Sequence, residues 1–204
     1  WTKYIPNTKS VATNHLQVGV LALQGAFESH IKTFETIGIE ALPVRSTQDL
    51  ERVHKIVIPG GESTAISMLL EASDLRSPLI ERLSQGMPVF GTCAGMIILS
   101  RSIIDGRDDQ VPLNAIDISV RRNAFGRQID SFESELKVKG HKEPFPAIFI
   151  RAPIVEKVGP DVEIYAEVDG QIVLCGNDST LVASFHPELS NDTRIHEMFL
   201  SIGN

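Results

Sequence analysis

Apolar residues fall along this chain in two rhythms, and the change from one to the other organises it. The first half carries short unbroken runs: Val18 to Leu23, Ile39 to Val44, Lys55 to Ile58 and Pro88 to Phe90. A continuous apolar run bounded by turn residues is the pattern of a strand buried on both faces. Between the first two, Phe27, Ile31, Phe34 and Ile37 recur at helical spacing, with Gly38 placed to cap the helix. Ser46-Thr47-Gln48-Asp49 offers a start for a short helix reaching Val53; Thr64 to Glu71 and Ser77 to Gln85 read as further helices, the latter stopped by Gly86. This alternation predicts an α/β fold with a doubly wound, mostly parallel sheet flanked by helices. Beyond a charged loop at Asp105 to Gln110, the rhythm becomes alternating at Ile116 to Val120, Phe132 to Val138, Glu163 to Val168 and Gln171 to Leu174. These predict half-exposed, partly antiparallel strands in a smaller appended sheet, with Asp169-Gly170 as a hairpin turn.

Composition narrows the classes. The 204 residues suffice for one sizeable core, expected over residues 18–204, while residues 1–17 are polar, lack periodicity and read as an N-terminal arm or cloning remnant. A formal charge of −7, with no basic stripe beyond Arg121-Arg122, argues against a nucleic-acid surface. Two cysteines in a chain of this length suggest a reducing compartment, and the absence of a long apolar stretch or signal peptide makes a cytoplasmic, membrane-free protein the expectation. No metal site or cofactor is expected.

The candidate chemistry centres on Gly91-Thr92-Cys93-Ala94-Gly95, between an apolar strand and an apolar helix. Gly-x-Cys-x-Gly has the spacing of a nucleophile elbow, where a sharp strand-to-helix turn holds the central side chain out in a strained backbone conformation. Helix N–H groups aimed at the sulfur favour the thiolate. A buried structural cysteine in a Gly-rich turn is the alternative. Pro59-Gly60-Gly61-Glu62-Ser63-Thr64, between a strand and a helix, reads either as an anion nest for a developing oxyanion or as a tight turn with Ser63 as helix N-cap. Two segments end in or contain arginines: Phe149-Ile150-Arg151-Ala152-Pro153, and the loop from Arg121 to Gln128. The strand from Thr180 runs into His186-Pro187-Glu188. If that strand lies parallel beside the Cys93 strand, their carboxyl ends bring a nucleophile, a base and an orienting carboxylate to one edge. The other histidines are poorer candidates: His15 is in the arm, His30 and His196 are on predicted helices, His54 precedes a strand and His141 sits in a turn.

These motifs together resemble the class I, or triad, glutamine amidotransferases. Pro59 to Thr64, Gly91 to Gly95, Arg122-Asn123-x-Phe125-Gly126-Arg127-Gln128, Asp130-Ser131-Phe132-Glu133 and Ile150-Arg151-Ala152-Pro153 are similar to those of the glutaminase subunits of pyridoxal 5′-phosphate synthases, over about Val18 to the C-terminus. The departures lie in the arm and in the Asp105 to Pro112 loop, neither expected to touch a motif. The resemblance implies catalysis by Cys93, His186 and Glu188, with an oxyanion hole from the backbone of Gly61 and Ala94. It also implies L-glutamine binding by Gly61, Glu62, Ser63, Arg122, Ile150 and Arg151, and a partner contact at Gln24. The partner implied is a (β/α)8-barrel pyridoxal 5′-phosphate synthase subunit in a hetero-oligomer, which receives ammonia. The isolated glutaminase is then expected to be weak until that partner orders the oxyanion loop. A γ-glutamyl hydrolase or other cysteine hydrolase of the same fold is an alternative that the two arginine motifs disfavour. A non-catalytic regulator is another, disfavoured by the intact Cys93, His186 and Glu188.

Overall fold

A computed structural model of the chain describes residues 16–107, 110–122 and 131–203. Residues 1–15 of the arm expected over 1–17, Trp1 among them, lie outside the described residues, as does the motif stretch 123–130. In chain order the elements are β1 (Gln17–Leu21), α1 (Phe27–Thr36), β2 (Glu40–Val44), α2 (Thr47–Glu51), β3 (Lys55–Ile58), α3 (Ser63–Ala72), α4 (Arg76–Ser84), β4 (Val89–Thr92) and α5 (Ala94–Leu99). They continue with β5 (Ser102–Ile103), β6 (Ile118–Arg121), β7 (Ser131–Leu136), β8 (Phe145–Ile150), β9 (Ile154–Val158), β10 (Glu163–Val168), β11 (Gln171–Gly176), β12 (Thr180–Ala183) and α6 (Arg194–Ser201). The first strand starts one residue before the expected boundary: Gln17 already pairs with Glu40, and its side-chain amide donates to the Glu40 carboxylate at 2.9 Å.

The main sheet runs β2-β1-β3-β4-β12-β11-β9-β6-β5, with β10 alongside β11. Its β2, β1, β3, β4 and β12 are mutually parallel, which is the doubly wound core. The alternating strands of the second half divide. β6, β9, β10 and β11 extend the main sheet through antiparallel pairings, whereas β7 and β8 form the small separate antiparallel sheet.

Side chains on the parallel strands alternate between two cores. Ile56, Ile58, Val89 and Val182 join Ile66 and Leu70 of α3, Leu79 of α4 and the α5 side chains on one face. Val57, Phe90, Leu181 and Ala183 face the other way, onto Phe34 of α1, Ile195 and Phe199 of α6, and Phe145 and Phe149 of β8. Both faces are covered, as continuous apolar strands require. Ser46 starts α2 with a reciprocal capping box: its hydroxyl accepts from Asp49 N while the Asp49 carboxylate accepts from Ser46 N. One register positions the chemistry. Ala183 of β12 lies opposite Thr92 of β4, and Gly91 lies opposite Ile58 of β3. The segments leaving β3, β4 and β12, which carry Gly60-Gly61, Cys93 and His186, therefore emerge at one edge of the sheet.

Candidate active site

Cys93 occupies the turn between β4 and α5 with φ 50° and ψ −104°, a left-handed backbone that a residue with a Cβ adopts only under constraint. The constraint is local. Cys93 N donates to Ala183 O at 2.8 Å, and α5 packs so closely on β3 that a Cβ at Gly95 would stand 2.0 Å from Ile58 O. Sγ lies 3.8 Å from Ile150 O, at the end of β8. The second cysteine differs in kind: Cys175, wholly buried in β11, has its thiol pushed up to about 12 by burial, so it stays protonated and unreactive.

His186 is anchored by its backbone N–H to Ile148 O at 2.8 Å, and its Nδ1 lies 2.8 Å from Glu188 Oε1 on the 3-10 turn Pro187–Leu189. With Nδ1–H donating to the carboxylate, Nε2 is left for Cys93, which lines the same cavity. Burial alone would lower the imidazole pKa. The neighbouring Cys93 and the hydrogen-bonded Glu188 carboxylate outweigh it and raise His186 to about 10. Burial pulls Glu188 upward too, but His30 and the hydrogen bond from His186 hold it below its ordinary value. Glycine at position 60 makes room for the base, since a Cβ there would meet His186 Cε1 at 2.4 Å.

In front of the triad is a cavity of about 390 Å³ lined by Gly61, Glu62, Ser63, Cys93, Ala94, Arg122, Ile150, Arg151 and His186, together with Ile97. Every expected site residue is there except Glu188, which stands behind His186, and Gln24. The Gln24 side-chain carbonyl accepts from Glu62 N at 3.0 Å and so holds the loop from outside. The same loop is tied by Gly60 N to Thr92 Oγ1 at 3.1 Å and by Gly60 O, which accepts from Ala26 N at 3.3 Å.

One alternative reading and one expectation are corrected at this wall. Ser63 is not the cap of α3. Glu62 is, with its carboxylate accepting from Thr64 N at 3.0 Å and Ala65 N at 2.7 Å. Nor is the Asp105 to Pro112 stretch remote from the motifs. Gln110 is 6 % exposed; its Nε2 donates to Ser63 Oγ at 2.8 Å and its Oε1 accepts from an Arg122 terminal nitrogen at 3.3 Å. Asp105 accepts from Arg122 N at 2.8 Å. Arg122 Nε is buried without a hydrogen-bond partner, a donor left over in the cavity wall. Arg151, with φ 43°, is a second non-glycine residue here in a left-handed conformation.

Sequence reasoning also passed over His30 and His196. Both are wholly buried behind Glu188 rather than on solvated helix faces. A signal existed: His30 sits on the Phe27–Phe34 stripe of α1, and a histidine on the apolar face of a helix is inside the core. Among the described residues, no cluster of His, Cys, Asp and Glu could hold a metal ion.

Known proteins resemble this chain in sequence and in fold. The SNO glutamine amidotransferase family matches residues 20–202. A pyridoxal 5′-phosphate synthase subunit PdxT of Mycobacteroides abscessus is 51% identical over 185 residues, 91% of this chain and 96% of that one. One of the same name from Dehalococcoides mccartyi is 49% identical over 189 residues, 92% and 97% of the two chains. A solved structure described as a glutamine amidotransferase superposes with a TM-score of 0.86 at 42% identity, covering 91% of this chain and 98% of the other. A chain of the PurLQS structure from Thermotoga maritima has a TM-score of 0.63 at 15% identity over 91% and 98% of the two chains, a likeness of fold.

Proposed function

This chain belongs to the SNO glutamine amidotransferase family and is a glutamine-hydrolysing subunit of the pyridoxal 5′-phosphate synthase kind, and we propose that Cys93, His186 and Glu188 are the residues with which it does so. The observation carrying this reading is the strained Cys93 lining one cavity with an imidazole that Glu188 orients.

In the proposed reaction Sγ of Cys93 attacks the side-chain amide carbon of L-glutamine, its proton passing to His186 Nε2. The tetrahedral oxyanion is received by the backbone N–H groups of Gly61 and Ala94, each such donor being worth about 3 to 4 kcal/mol in comparable enzymes. On collapse, the C–N bond breaks, His186 returns the proton to the nitrogen, and ammonia leaves a γ-glutamyl thioester. Water, deprotonated by His186, then attacks the thioester and releases glutamate with the thiol restored. Arg122 and Arg151 suit the α-carboxylate of glutamine and Glu62 its α-ammonium, with Ser63 and Ile150 completing the wall.

The ammonia is passed, in this reading, to a (β/α)8-barrel synthase subunit that docks near Gln24. A cytoplasmic location fits two free cysteines, and among the described residues no helix is long and apolar enough to cross a membrane. The decisive experiment is Cys93→Ala with glutamate release measured in the presence of the synthase subunit. Activity should fall to background with the circular dichroism spectrum unchanged, and turnover near wild type would refute the assignment.

A further inference from the structure

Behind the triad, α1 and α6 bring together two imidazoles that the reaction above does not use. His30 Nδ1 lies 2.9 Å from His196 Nε2. His30 Nε2 lies 3.3 Å from Glu188 Oε2 and 3.2 Å from Thr92 Oγ1. Both rings are wholly buried, and so is the carboxylate they approach. Glu188 Oε1 is occupied by His186, whereas Oε2 is sealed from solvent and no hydrogen bond of regular geometry reaches it, so the His30 ring is the polar group it faces. An ionised oxygen buried without a donor is costly, so the proton on His30 decides how firmly Glu188 is held.

The tautomers follow from the network. His196 Nδ1 is buried with no partner. An unpaired imidazole lone pair there is tolerable, but an N–H would be a stranded donor, so the His196 proton belongs on Nε2, where it can point at His30 Nδ1. His30 Nδ1 then accepts, and its own proton is on Nε2, facing Glu188 and Thr92. Burial favours the neutral form of both rings, taking His196 down to about 3 and lowering His30 by more than Glu188 raises it. A neutral ring is the useful kind. It supplies an N–H without bringing a positive charge that would compete with His186 for the carboxylate.

We propose that His30 is a positioning residue of the glutaminase: its Nε2–H is shared between Glu188 Oε2 and Thr92 Oγ1. It thereby fixes the carboxylate that orients the base and, through Thr92, the Gly60 peptide at the start of the oxyanion loop. Thr92 Oγ1 is the link, since it also accepts the Gly60 N–H. The proposal rests on the triad reading given above. The competing role is packing alone, for His30 and His196 also stand edge-on to Phe90 and Phe34.

Two amide variants separate these roles. His30→Gln places an N–H near the Nε2 position, within reach of Glu188. His30→Asn keeps an amide near Nδ1, facing His196, and cannot reach Glu188. Assayed with the synthase subunit present, His30→Asn should lose roughly 10- to 100-fold in kcat, the worth of a hydrogen bond to a charged acceptor, with KM for glutamine nearly unchanged. His30→Gln should recover most of that loss. Where turnover is too slow to measure, the rate of Cys93 alkylation by a glutamine-analogue chloroketone should rank the variants in the same order. Equal losses in the two variants, unchanged kcat in both, or a loss confined to KM would overturn the proposal. Nitrogen-15 NMR of histidine-labelled wild-type protein tests it without any variant: His30 should be the neutral Nε2–H tautomer, and an Nδ1–H tautomer or an imidazolium would reject it. Cys93→Ala assayed alongside tells the two readings apart, because activity surviving in that variant removes the triad itself and leaves the tautomer result standing.

Discussion

The amide of Gln110 joins two side chains of the cavity wall, giving an N–H to Ser63 and taking one from Arg122. Arg122 carries a long flexible side chain, and an arginine binds a carboxylate well only when its fork is held in place. Gln110 does not line the cavity, so its removal should loosen substrate binding without touching the bonds that change. Gln110→Ala is expected to raise KM for glutamine roughly tenfold while kcat stays near wild type, the pattern of lost uniform binding. Steady-state kinetics with glutamine and with its α-methyl ester checks the cause. If Gln110 acts through Arg122 on the α-carboxylate, the penalty disappears with the ester; an equal penalty on both substrates would reject this role. The residue was invisible in the sequence for a physical reason. It lies in a polar, charged stretch that reads as surface, and its partner Ser63 is 47 positions away. By contrast the glycine spacing around Cys93 marks its turn locally, whereas His186-Pro187-Glu188 gains meaning only once its strand is placed parallel beside β4.

At the scale of elements, α3 shows how one side chain serves both fold and site. Glu62 has extended backbone angles (φ −97°, ψ 114°), and its side chain curls back to accept two of the N–H groups that open the helix. Burial would raise its carboxyl pKa, but the bonds from Thr64 and Ala65, with Arg122 nearby, leave it below the ordinary 4.5. A lowered folded-state value means that the cap's stabilisation is present above 4.5 and disappears as pH falls through the folded value. Glu62→Ala should therefore cost about 1 kcal/mol near neutral pH, or about 2 to 4 °C in Tm, and the gap from wild type should close in strong acid. Differential scanning calorimetry across that range decides it; a gap independent of pH would show that the carboxylate is not the cap. The sequence offers Ser63 as the cap in one of its two readings because serine is a common cap, and it cannot register that the turn leaves Glu62 reaching back. It is equally blind to pairing. Alternation marks β6, β10 and β11 as half-buried strands, yet which sheet they join is set by long-range packing, and among the described residues β7 and β8 stand apart.

Over the whole molecule, the register of β3, β4 and β12 delivers loop, nucleophile and base to one edge, but it does not settle the state of the loop. Gly60 gives its N–H to Thr92 and its carbonyl to Ala26, and the next N–H but one, that of Glu62, goes to Gln24. The loop is thus fastened at both ends to β4 and to the segment joining β1 and α1. That leaves the β1–α1 segment as the handle by which another chain could reset the Gly61 peptide without entering the cavity. A loop so fastened couples docking to catalysis: a partner that moves Gln24 changes where the Gly61 N–H points, and oxyanion stabilisation by one such donor is worth about 3 to 4 kcal/mol. Mixing the chain with its synthase subunit should raise glutamate release several-fold by raising kcat. Gln24→Ala should lose most of that increment relative to its own unstimulated rate, measured by titrating the synthase subunit into a fixed amount of glutaminase. The two failures carry different meanings. No stimulation of the wild type would undermine the partner reading, whereas full stimulation of Gln24→Ala would keep the partner and place the handle elsewhere on the surface.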